Sequence, residues 1–286
     1  MAEERLQFRR AVLGLHHHPS KAGLSMAVDV ARLLDLDLFG LFVEEESLLH
    51  LATLPFVREF SPLGGGWRAI DSERLAGDLK AAARTAQRLF ADAVKGLARS
   101  CEFGVVRGSM AEAIAAHTRA DDIVVLSAPA TAGEYPAEQF PRLIETALRS
   151  AAGVLLVPRQ IARRSGDVVA IAARPDDPSI RLAAAIASAA KEELVIVELF
   201  DSGERAAPTG AQGQRARRAA SRVAASDPSM LVAAFRSECE RLVVVTHGST
   251  DAALPSILAS WRRVPVLVIA PEVRGGETAG ETGRSR

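Results

Sequence analysis

The chain reads as an α/β protein in which two parallel-sheet units follow one another. Three observations predict this. The opening block Val12-Leu13-Gly14-Leu15, followed by Pro19-Ser20 and an Ala-rich apolar stretch, recurs as Ala170-Ile171-Ala172-Ala173, Pro178-Ser179 and a second Ala-rich stretch. Ser109-Met110 leads into Asp122-Ile123-Val124-Val125-Leu126-Ser127, as Ser229-Met230 leads into Arg241-Leu242-Val243-Val244-Val245-Thr246. Each copy closes alike, on Val154-Leu155-Leu156-Val157-Pro158 and on Val266-Leu267-Val268-Ile269-Ala270-Pro271. The offset of 159 positions from Ser20 to Ser179 is too long for a solenoid repeat and suits two concatenated domains.

In the first copy, short apolar runs at 10–15, 37–43, 102–107, 122–127 and 153–158 alternate with stretches of helical periodicity, which is the βαβ grammar of a parallel sheet. Ser20 is placed to cap a helix whose Leu24, Ala27, Val28, Ala31 and Leu34 share one face. The segment 71–99 carries Leu75, Leu79, Ala82, Ala86, Leu89, Ala93 and Leu97 on one stripe and charges on the other. Gly108 suits the turn that ends the third strand, and Ser109 suits the cap of a short helix ending before Asp121. A fourth helix is expected near 138–151. Between 44 and 70 lies an apolar insertion broken by Pro and Gly, expected to form a flap with a short helical start. Its Trp67 and leucines are expected to cover the sheet edge or a partner surface.

The second copy is shorter. Ser20 to Asp122 spans 102 positions and Ser179 to Arg241 spans 62, so the flap, the long helix and the third strand are expected to be missing. In their place stand a Gly- and Pro-rich stretch at 201–213 and an Arg/Ala helix at 214–225. The expected organisation is a first domain at 1–160 with its flap at 44–70, a linker at 159–166, a second domain at 167–271, and a disordered tail at 272–286.

Composition bounds the function. Lys+Arg and Asp+Glu are equal at 35 each, so no long-range field favours nucleic acid or anionic lipid. Arg215, Arg217, Arg218 and Arg222 form a local basic face without interleaved aromatics, which suits a solvated helix better than RNA. Cys101 and Cys239 lack metal or redox spacing, and no apolar run approaches the ~20 residues of a membrane helix. A reducing cytoplasm is expected, with neither export nor membrane insertion.

These blocks together resemble the universal stress protein family, over about 9–158 and 167–271. The resemblance implies two doubly wound sheets of strand order 3-2-1-4-5, the second truncated, paired within the chain through their last strands. It implies a crevice outside the carboxyl ends of strands one and four, bordered here by His16 to Pro19 and by Ser127 to Glu138. Members that bind ATP place an Asp at the end of strand one and a Gly-x-x-Gly then Gly-Ser/Thr motif after strand four. In this chain the Asp slot falls at His16, the glycine slots at Ser127 and Ala130, and the Gly-Ser pair near Pro141-Arg142. In the second copy the first glycine slot is Thr246, and the carboxylates Asp176-Asp177 are displaced by about two positions. No cofactor is assigned: the resemblance offers ATP or another adenine nucleotide, but the motif is degenerate in both copies, so the nucleotide site of the first domain is expected to be modified or lost. The candidate ligand residues are His16, His17, His18, Ser127, Ala130 and Arg142, with Asp176, Thr246 and Ser249 as weaker candidates in the second copy.

No catalytic or metal residue is assigned. In an extended segment His16 and His18 point one way and His17 the other, so two of them at most share a metal, with His50 as a conceivable third ligand. The Ser, His and Asp of 246–251 are too close in one turn for a triad and read as a strand-to-helix turn capped by Ser249 or Asp251. The expected function is a non-catalytic stress-response or regulatory protein. Alternatives are a nucleotide or metal-assisted hydrolase using 16–18, and a pure protein-interaction module; homodimer or protein partners are both open.

Overall fold

A computed structural model describes residues 8–16, 20–61, 65–128, 139–200, 216–218, 223–224 and 239–270. The first strand, β1 (Arg10–Leu15), is followed by α1 (Lys21–Leu34) and β2 (Asp37–Glu45). The insertion then forms α2 (Glu46–Thr53) and a hairpin of β3 (Arg58–Ser61) and β4 (Gly66–Ala69). Next come α3 (Ser72–Ala93), β5 (Cys101–Gly108), α4 (Met110–His117), β6 (Asp122–Ser127), α5 (Gln139–Ser150) and β7 (Gly153–Val157). The second half comprises β8 (Asp167–Ala172), α6 (Pro178–Ala190), β9 (Leu194–Phe200), β10 (Ala216–Arg218), β11 (Val223–Ala224), β12 (Glu240–Thr246), a helix α7 (Leu254–Arg262) and β13 (Val266–Ile269).

These strands make one sheet ordered β10-β9-β8-β12-β13-β7-β6-β1-β2-β5, with β11 beside β9. Every pairing in it is parallel except β13 with β7, where Val266 faces Leu156 and Ile269 faces Gly153. Read outward from that joint, the first half runs fifth, fourth, first, second, third strand, and so does the second half. The expected order 3-2-1-4-5 is therefore present on both sides. At the joint the backbones come so close that a Cβ on Gly153 would lie 2.9 Å from the Val268 carbonyl oxygen. A glycine is needed there for space.

Strand alternation sorts the core into two layers. Leu13, Leu15, Ile123, Val168 and Ala170 face α1, α3 and α6 on one side. Val12, Val124, Leu126, Val169 and Ile171 face α4, α5 and α7 on the other. Both layers run unbroken through the joint, and α1 packs against α6 across it. At the amino-terminal ends of β1 and β6, Asp122 is fully buried and bound by Arg10 through Nε at 3.3 Å and Nη2 at 2.7 Å. Ser109 and Glu112 form the reciprocal capping box of α4.

Four expectations are corrected. The insertion contains a β-hairpin after its helical start; Gly65 and Gly66 lie at the turn side of its paired strands, and Gly64 lies outside the described residues. Its Trp67 is 66% exposed and covers no sheet edge. The segment 214–225 is not a helix where it is described: Ala216–Arg218 and Val223–Ala224 are strands beside β9, so the third strand of the second half is shortened and not missing. Arg215 and Arg222, the stretch 201–213, the helix opened by Ser229-Met230 and the tail 272–286 lie outside the described residues. Finally, the repeat offset is not that of the Pro-Ser pairs: Arg10 to Asp167, Ser20 to Asp177 and Asp37 to Leu194 are each 157 positions apart. The structural counterpart of Ser20 is Asp177.

Candidate functional site: two unequal crevices

In each half the strand order reverses between the first strand and the fourth, which opens a crevice at their carboxyl ends beside the N-terminus of the first helix. In the first half this place lies between β1 and β6. His16 follows β1 and is half-buried, and Ser127 is the last residue of β6. Ser20 caps α1, its hydroxyl accepting from the Gly23 amide at 3.1 Å. Gly23 lies directly against β6, since a Cβ on it would stand 2.4 Å from the Ser127 hydroxyl oxygen. The wall of this crevice is thus built from hydroxyls, a glycine and an imidazole, and carries no carboxylate among these residues.

The structure brings His16 and Ser127 to neighbouring strand ends and adds Ser20 and Gly23, which are not among the expected ligand residues. The signal for Gly23 is a glycine inside a helix, where it costs about 1 kcal/mol against Ala unless packing requires it. Arg142 is exposed on the first turn of α5, and Pro141 beside it is helical and has no N–H to offer. His17, His18 and Ala130 lie outside the described residues. His50 stands on α2 with its Nε2 3.8 Å from Glu46. Among the described residues no group of three His, Cys, Asp or Glu gathers as metal ligands.

The second crevice is filled from within. Asp177, the N-cap of α6, is buried, and its Oδ1 accepts from the Thr246 hydroxyl at 2.5 Å and from the Ser179 amide at 2.9 Å. Its Oδ2 accepts from the Ala173 amide at 3.2 Å. Ser179 is fully buried and donates its own hydroxyl to the Ile171 carbonyl at 3.0 Å. One carboxylate therefore ties together the end of β8, the first turn of α6 and the end of β12. It sits at the positive end of the helix dipole and uses charge-assisted bonds, the condition under which a buried carboxylate is stable.

Of the second-copy candidates, Thr246 lies in the crevice and Asp176 does not. Asp176 is exposed and lies 3.8 Å from Arg174. The residue that fills the crevice is its neighbour, legible as an Asp-Pro pair, an N-cap followed by proline at the first helical position. Ser249 closes the turn after β12, its hydroxyl donating to the Thr246 carbonyl at 2.6 Å. Neither Ser249 nor Asp251 is the N-cap of α7. Ala253 holds that position, with Asp251 accepting from its amide at 2.8 Å.

No protein-family model matches the sequence, and no curated protein matches it. The fold, however, is found among solved structures. A universal stress protein from Archaeoglobus fulgidus DSM 4304 superposes with a TM-score of 0.62 at 15% identity, over 93% of this chain and 98% of that one. A functionally unknown protein from Pseudomonas aeruginosa PAO1 superposes with a TM-score of 0.50 at 14% identity, over 93% of this chain and 94% of that one. At these identities the likeness is one of fold: an α/β chain with a mainly parallel central sheet, of universal stress protein type. No helix among the described residues is long and apolar enough to cross a membrane.

Proposed function

We infer that this chain is a non-catalytic regulatory or stress-response protein made of two tandem universal-stress-like units with unequal duties. The first half keeps a modified site for a small molecule of the adenine-nucleotide class, and the second serves as its structural partner. The observation that carries this reading is the contrast between the crevices. Among the described residues, His16, Ser20, Gly23 and Ser127 bring an imidazole, two hydroxyls and a glycine to the first crevice and no carboxylate. Around Thr246 the same place holds the Asp177 carboxylate, bonded on both oxygens. A phosphate brought beside a buried carboxylate meets like-charge repulsion and finds the donors already used. The free thiols Cys101 and Cys239 support a reducing, cytoplasmic setting.

The test is to denature the purified protein, identify released small molecules by mass spectrometry, and titrate the apoprotein calorimetrically with ATP. One nucleotide per chain is expected, with affinity lost in His16→Ala and kept in Thr246→Val. No bound molecule and no heat with ATP would overturn the reading.

A further inference from the structure

Among the described residues, the insertion between β2 and α3 is the least covered part of the molecule. From 46 to 70 no residue whose burial is described is buried, although Leu51, Leu54, Phe56, Phe60 and Trp67 are all large, apolar and exposed. In the hairpin Phe60 stands opposite Trp67, so both lie on one face, with ring centroids 5.4 Å apart. Glu59 and Arg68 lie on the other face. There Glu59 binds Arg68 at 2.5 Å and also binds Arg74 in the first turn of α3. The ion pairs hold the hairpin from behind, which keeps its aromatic face outward.

The patch adjoins a second unpartnered feature. Helix α2 packs against α3 and β5, and β5 ends the sheet, paired with β2 alone among the described strands. Its eight residues leave one backbone edge open. Val105, on the same face of β5 as the Phe103 that meets Phe90 of α3, is 49% exposed.

We propose that this end of the molecule is a homodimer interface, in which a second copy of the chain covers the flap patch and lays its own β5 alongside. Area, symmetry and charge each select a second copy. At roughly 200 Å² per aromatic side chain, the exposed parts of Phe56, Phe60 and Trp67 amount to about 400 Å². Leu51, Leu54, Val105 and the β5 edge bring this toward the ~800 Å² per partner that stable interfaces bury. A two-fold axis through the edge makes the second β5 antiparallel to the first, and buries both patches at once. That is the kind of joint the chain already forms within itself between β7 and β13. The insertion carries exposed Glu46 and exposed Arg58 beside these apolar residues, a mixed-sign setting that suits its own copy and opposes a polyanion or an anionic membrane. The dimer does not depend on whether the first crevice holds a ligand.

Sedimentation velocity over a wide concentration range tests it, with Phe60→Ser/Trp67→Ser and Val105→Lys compared against the unsubstituted chain. The expected species has twice the 30.3 kDa chain mass, and each variant weakens association by about tenfold or more with unchanged circular dichroism, because the altered side chains are exposed. In a Trp261→Phe background, Trp67 emission shifts to the blue as the dimer forms. A monomer at all concentrations overturns the proposal, as does a dimer indifferent to both variants. So does a Trp67 shift produced by lipid vesicles or RNA and not by concentration.

Discussion

Thr246 donates its hydroxyl to Asp177 across 69 positions of sequence, and this bond joins the fourth strand of the second half to the cap of its first helix. Asp177→Ala leaves that hydroxyl and two amides without their acceptor in a buried place. A loss of about 2–4 kcal/mol in urea-unfolding free energy is expected. Asp177→Asn, which keeps an acceptor but no charge, is expected to lose about half as much. In Asp177→Ala, formate or acetate is expected to raise the melting temperature saturably, with chloride inert, since a small carboxylate fits the vacated donors. Equal behaviour of the three anions would show that the vacated donors do not form a carboxylate-shaped site.

Gly23 and Ser127 make a steric prediction. Gly23→Ala places a methyl 2.4 Å from the Ser127 oxygen and is expected to cost about 1–3 kcal/mol. The double variant with Ser127→Gly is expected to recover most of that loss, so the double-mutant cycle reports a coupling above about 1 kcal/mol. Additive losses would place the strain elsewhere.

The fold is largely legible in the sequence because its signals are local and repeated. Alternating apolar runs mark the strands, and Ser20, Ser109 and the stripe of α3 mark the helices. The hairpin escapes because its strands are four residues each and exposed, with one aromatic apiece, so nothing in Arg58 to Ala69 marks a buried face. The 216–218 strand escapes because Arg and Ala favour helices, and its strand state comes from pairing with β9. Matching Pro19-Ser20 to Pro178-Ser179 shifts the second copy by two residues, which sets Ser179 and not Asp177 opposite Ser20. Proline follows the cap in one half and precedes it in the other, so the Asp-Pro pair and not the Pro-Ser match carries the signal for the second cap.

Arg10 is the counter-ion of the fully buried Asp122. Arg10→Met leaves that carboxylate without its cation, and a loss of about 3–5 kcal/mol is expected. Asp122→Asn in the same chain is expected to restore part of it, as measured by chemical unfolding. An Arg10→Met variant as stable as the parent would mean that the backbone amide of Arg119, which also binds Asp122 at 2.9 Å, suffices.

Glu112 supplies an acid dependence. The Ser109 hydroxyl and then the Ser109 amide hold its carboxyl below the ordinary value of 4.5. Its folded pKa is depressed, so its contribution to stability is fully present above 4.5 and is lost as pH falls through the lower folded value. Glu112→Gln is expected to flatten this part of the stability curve between that ordinary value and the lowered one, with little change at neutral pH. Thermal melts across the acid range check it; an unchanged acid slope would assign the dependence to other carboxylates.

The single antiparallel joint also decides which way the molecule looks. Since β6 runs parallel to β7, and β12 parallel to β13, while β7 opposes β13, the carboxyl ends of the two halves emerge from opposite rims of the sheet. Whatever occupies the first crevice is therefore out of reach of the second, and no one ligand bridges them. The two rims are joined through the interior, by the four residue pairs from Gly153–Ile269 to Leu156–Val266 and by α1 packed on α6, so each half braces the other while facing away from it.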